Sequence, residues 1–111
     1  MYESILDSIK KLLNISEEDT AFDTDLIIHI NTVLGIVNQL GVGKEGFTIS
    51  DNTAVWKDFI PTLYHKLVMV KTLVYLRVRL IFDPPTVSSV LESNNKLIEE
   101  LECRLTYVTD S

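Results

Sequence analysis

Cysteine occurs once, at Cys103, which excludes an intramolecular disulfide framework and suits synthesis in a reducing cytoplasm. Basic residues are few: 10 Lys and Arg stand against 16 Asp and Glu, for a net charge of −6. Nonspecific affinity for DNA or RNA comes from clustered Lys and Arg, so nucleic acid is not expected as a bound ligand. His29 and His65 lie far apart with no cysteine cluster beside them, so metal-ligand spacing is missing. The N-terminal MYESILDSIKKLLNIS has neither the basic start nor the apolar core of an export signal. The most apolar run, 67–82, carries Lys71, Arg77 and Arg79, which makes bilayer insertion costly. A soluble chain without a membrane partner is expected. No paired acid and base and no activated nucleophile can be placed, which argues against an enzyme.

What is present is a chain rich enough in apolar residues (46%) to build a core, with no internal repeat or linker, and therefore one domain over residues 1–111. Its organising stretch is Leu63 to Phe82. No Gly, Pro, Asn or Asp interrupts it, so the pattern predicts a helix of about five turns. Apolar residues cover most of its circumference and leave Lys71, Thr72, Tyr75 and Arg79 as a polar strip, the signature of a helix buried on most sides. Residues 74–80 also alternate with period two, but a run this long favours helix over strand. At Asp83-Pro84-Pro85 the helix must stop, because the residue before a proline is pushed out of helical backbone, and the chain turns back there.

Around this helix the periodicity predicts a short first helix bearing Ile5, Leu6, Ile9, Leu12 and Leu13 and ending near Asn14. The acidic stretch Ser16 to Asp19 suits a turn leading to a second helix that starts near Asp23 and is capped by Gly41. Gly35 inside that helix suggests close approach of a neighbour. Residues 41–52 read as a mobile glycine-rich loop in which Phe47-Thr48-Ile49 could form an isolated extended stretch or an edge strand. Asp51, Asn52 and Thr53 offer caps to a helical turn through Trp56 and Phe59, and Pro61 would open the central helix. A last helix, 86–108, places Val87, Leu91, Asn94, Ile98, Leu101, Leu105 and Val108 on a heptad-like seam. The fold class is all-α: a four- to five-helix bundle whose central helix packs on the first, second and last.

Several motifs invite sharper readings. Gly41-Val42-Gly43-Lys44-Glu45-Gly46 matches GxGxxG, yet a helix precedes it and an extended segment follows, the wrong context for a dinucleotide site, so a capped loop is preferred. The acids Glu17, Glu18, Asp19, Asp23 and Asp25 lack the order of a calcium loop and suit a solvated helix start. Cys103 has no local feature beyond Arg104 to activate it. Trp56, the single tryptophan, either roofs the core, the commoner fate, or anchors a partner. Arg77 and Arg79 suit the negative end of the central helix, and either pair with Glu92, Glu99 or Asp83 or dock onto an acidic neighbour.

The ordered series Ile27-Ile28-His29-Ile30-Asn31, Gln39-Leu40-Gly41-Val42-Gly43, Trp56-Lys57-Asp58-Phe59, Leu76-Arg77-Val78-Arg79-Leu80-Ile81-Phe82-Asp83-Pro84-Pro85-Thr86 and Glu99-Glu100-Leu101-Glu102-Cys103-Arg104-Leu105 resembles the small head-tail connector proteins of long-tailed phages and Gram-positive prophages. The likeness covers most of the chain; Cys103 departs from it, standing where similar sequences carry tryptophan. The resemblance implies a non-catalytic subunit of the virion neck, made in the bacterial cytoplasm and needing no cofactor. It further implies assembly with copies of itself into a ring, a dodecamer on the portal being one candidate. Its neighbours would be the portal protein and a downstream neck or tail protein, with DNA passing through unbound. Trp56, Arg77, Arg79, Asp83, Pro84, Pro85, Glu99 and Glu102 are the candidate interface residues. The competing reading is a helical adaptor that binds a peptide or protein in a groove, with the glycine loop as lid.

Overall fold

The computed structural model describes residues 2–60 and 64–109. Five helices follow in order: α1 (Ile5–Leu12), α2 (Asp23–Gln39), α3 (Trp56–Phe59), α4 (Tyr64–Phe82) and α5 (Ser88–Thr109). The bundle is all-α, as expected. The stretch with alternating residues, 74–80, lies wholly within α4, where both Leu76 and Val78 are buried. Pro61 as helix opener and Val108 on the seam lie outside the described residues and side chains.

α1 starts because Ser4 Oγ accepts the Asp7 N–H at 3.2 Å. It ends in a left-handed turn at Asn14 (φ 63°), where Ile15 N donates to Lys10 O and Asn14 N to Lys11 O, satisfying carbonyls the helix leaves open. Ile5, Leu6 and Ile9 are buried, but Leu12 faces outward. The following turn is fastened by Lys10. Its side chain is 1% exposed and its ammonium donates to the Glu17 carbonyl (3.1 Å) and the Asp19 carbonyl (2.7 Å) while lying 2.8 Å from Asp23 Oδ1. That carboxylate oxygen is shielded from water and accepts no well-aligned hydrogen bond, so the ammonium charge is what compensates it. The acidic stretch is thus wrapped around a buried cation at its base.

α2 ends as predicted, with Gly41 at φ 90°. Gly35 is exposed with no neighbour near it, so the close helix approach expected there does not occur. The loop after α2 is pinned, contrary to the mobile segment expected. Val42 and Ile49 are buried, Asn38 Nδ2 donates to the Val42 and Gly43 carbonyls, and Lys44 N donates to Phe59 O. Asn31 grips Ile49 from both sides of its peptide: Nδ2 donates to Ile49 O (2.9 Å), and Ile49 N donates to Oδ1 (2.8 Å). This side-chain amide takes the place of a strand partner, and residues 47–49 form no strand. Gly43, at φ 81°, must be glycine, because a Cβ there would overlap the Phe59 ring.

α3 is not capped by residues 51–53. Asp51 instead accepts from Thr53, and Asp58 reaches back to accept the Val55 N–H at 3.0 Å. Ile5 N donates to Ala54 O and Trp56 N to Glu3 O, clipping the chain start onto the segment before α3. Trp56 is thereby placed against α1.

α4 packs against α2 on one side and α5 on another. Phe82 at its end meets Phe22 edge-on at 5.4 Å, which sets α2 antiparallel to it. α1 meets α4 across a groove, so the expected direct packing of first helix on central helix gives way to an opening between them. The corner at 83–87 returns α5 antiparallel to α4, with Leu91 and Asn94 half-buried and Ile98, Leu101 and Leu105 buried along the predicted seam. Val87 precedes α5 and is exposed.

Candidate assembly surface

The interface residues expected from sequence separate into two groups. Trp56 belongs to the interior: it is 0% exposed, and its Nε1 donates to Ser8 Oγ (2.8 Å), which in turn donates to Ile5 O (3.0 Å). With its ring covered and its one donor matched, it is packed inside this protomer. Arg77 is likewise occupied. Its Nε donates to Glu102 Oε2 at 2.8 Å and Nη2 contacts the same oxygen, tying α4 to α5. The partner is Glu102, whereas Glu92, Glu99 and Asp83 were the expected ones.

Arg79, only two positions on, points elsewhere. At about 100° per residue the two side chains diverge by about 160° around the helix. Arg79 is half-buried, has no ion pair among the described residues, and lines a polar cavity of about 210 Å³ with Leu12, Leu13, Asn14, Tyr75 and Asp83. Asp83 and Pro84 are exposed, Pro85 is half-buried and Glu99 is exposed.

That cavity is one end of the groove between α1 and α4. The other end, about 310 Å³, is lined by Glu3, Ser8, Lys11, Leu12, Val68, Lys71 and Thr72. Val68 is 69% exposed and Leu12 lies beside it, so the groove floor is apolar at this end. Lys71 is held at the rim by an ion pair with Glu3. The polar strip predicted on α4 therefore lines a channel that changes from apolar at Val68 to cationic at Arg79.

A second apolar surface lies across the molecule. Ile81, Val87, Val90 and Leu97 are exposed around the α4–α5 corner and the outer face of α5. Val90 and Leu97, seven residues apart, share a helical face beside the buried seam. Sequence reading missed Val68, Leu12, Val90 and Leu97 as surface features; the available signal was apolar residues in excess of what the seams require. Among the described residues no cluster of His, Cys, Asp or Glu could hold a metal, and no helix is long and apolar enough to cross a membrane.

A family model described as phage connector protein matches residues 5–111. The chain belongs to the phage connector protein family. No curated protein and no solved structure matches it. Connector membership gives the chain a structural role in the neck of the phage particle, in association with portal or tail proteins. The family is one of typically non-enzymatic structural proteins.

Proposed function

We propose that this connector assembles with copies of itself into a ring between portal and tail, extending the DNA channel and presenting a platform to the next neck or tail component. The observation that carries this reading is a finished protomer core with apolar surface left over on two opposed sides, the α1–α4 groove at Val68 and the outer face of α5 at Leu97. Two different patches on opposite sides make head-to-tail contacts, which close into rings when the rotation per subunit allows. The net charge of −6 supports a channel wall that lets DNA slide, since it offers few phosphate contacts. The exposed corner at Asp83 and Pro84, with Glu99, belongs to the surface offered to neighbouring neck proteins.

Deleting the gene from its phage tests this directly. DNA-filled heads and free, unjoined tails are the expected particles by electron microscopy. Normally joined virions would overturn the neck ring and favour an adaptor that binds a peptide in the groove.

A further inference from the structure

The ring reading leaves open which surfaces meet, and the structure narrows them. Val68, Thr72, Tyr75 and Arg79 follow one side of α4, and all four line the groove. Arg77, which ties α4 to α5, is nine residues from Val68 and so about 180° away around the helix. Groove and α5 thus lie on opposite sides of α4, and no protomer can fill its own groove with its own α5.

The groove specifies its occupant by pattern: apolar at Val68 and Leu12, and cationic at Arg79, which has no ion pair among the described residues, eleven residues along α4 and about 16 Å away at 1.5 Å per residue. The outer face of α5 carries the complement. Val90 and Leu97 are exposed, and Glu100 stands ten residues beyond Val90, about 15 Å away and within about 80° of the same face. Among the described residues Glu100 is bound only to Arg104, in a pair exposed on both sides that yields easily to a better partner.

Resting on the ring reading, we infer that α5 of one copy lies in the α1–α4 groove of the next, parallel to α4. Val90 covers Val68, Leu97 sits beside Leu12 between Thr72 and Tyr75, and Glu100 reaches Arg79. The contact is heterologous, each copy giving α5 and receiving another, and the Glu100–Arg79 pair fixes its direction.

Cross-linking of full-length chains at high concentration tests the contact. In a Cys103→Ser background, an oxidised mixture of Val68→Cys and Val90→Cys chains should give the mixed disulfide dimer, well above a control mixture of Thr48→Cys with Val90→Cys. Arg79→Glu and Glu100→Arg should each lower that yield several-fold, and mixing a chain carrying Val68→Cys and Arg79→Glu with one carrying Val90→Cys and Glu100→Arg should recover it. A dominant Val90→Cys homodimer would mean a two-fold α5–α5 contact and overturns the proposal, as does a mixed yield no higher than the control. Unjoined particles on gene deletion together with either negative result would reject this surface and keep the ring; joined particles would reject the ring itself.

Discussion

The region around Trp56 and the α4–α5 hairpin hold themselves together by different means. Around Trp56, single side chains stand in for missing secondary structure: Ser8 takes the indole N–H, Asn31 pairs with the Ile49 peptide, Asn38 holds two loop carbonyls, and Lys10 gathers two carbonyls and a carboxylate. The hairpin relies on an apolar seam and, among the described residues, one ion pair between its helices, Arg77 to Glu102, and it leaves Ile81, Val87, Val90 and Leu97 in water. One region is complete within a single copy. The other leaves apolar side chains exposed, and on the ring reading proposed above a neighbour covers them, which would separate the parts of the chain that carry stability from those that carry assembly.

The contrast breaks first at Trp56. Trp56→Ala empties a fully buried site and takes away the donor to the Ser8 hydroxyl oxygen, and a loss of about 3–5 kcal/mol is expected in urea unfolding. Leu97→Ala, at an exposed position, should stay within about 0.5 kcal/mol. Equal losses would erase the distinction. Gly43→Ala should cost about 2–4 kcal/mol, from left-handed backbone and collision with Phe59 together. Lys10→Met keeps the apolar stem but leaves two carbonyls and Asp23 Oδ1 without their cation, and about 2 kcal/mol is expected, with faster amide exchange over residues 16–22. Arg77→Ala should cost less than about 1 kcal/mol, because both partners keep contact with water. A larger loss there would show that the hairpin depends on polar ties after all.

Much of the architecture was legible because it follows local rules. The stop at Asp83-Pro84-Pro85, the cap at Gly41 and the Leu91–Leu105 seam depend on backbone chemistry and helical period, which the sequence carries openly. The site was less so. Arg77 and Arg79 look equivalent in a string of letters, yet two residues around a helix send one to Glu102 and the other into the groove. Lys10 resembles its exposed neighbour Lys11, and only the return of residues 17–23 over α1 buries it. Asn31 and Ser8 are polar residues on helix faces, and their partners lie 18 and 48 positions away, beyond the reach of any periodicity. Leu12 fitted the apolar spacing of α1 and still faces out, because α1 and α4 stay apart there.

The smallest effect concerns how the pinned loop ends. Asp51 accepts hydrogen bonds from the Thr53 hydroxyl and the Thr53 N–H, and these, the hydroxyl first, hold its carboxyl below the ordinary value of 3.8 against a slight opposing effect of burial. A carboxyl depressed by folding stabilises the folded chain above its unfolded pKa, and this contribution disappears as pH falls through the lower folded value. Thr53→Val removes the hydroxyl and keeps the N–H, so the Asp51 midpoint in a carboxyl-carbon NMR titration should rise toward 3.8 without reaching it. An unchanged midpoint would mean the backbone N–H alone sets it. Because Asp51 is fully exposed, Thr53→Val should leave stability at neutral pH close to the parent's, unlike the buried ties at Ser8 and Lys10. The loop's attachment therefore strengthens inward from its rim, and the polar ties that matter for folding are those that water cannot replace.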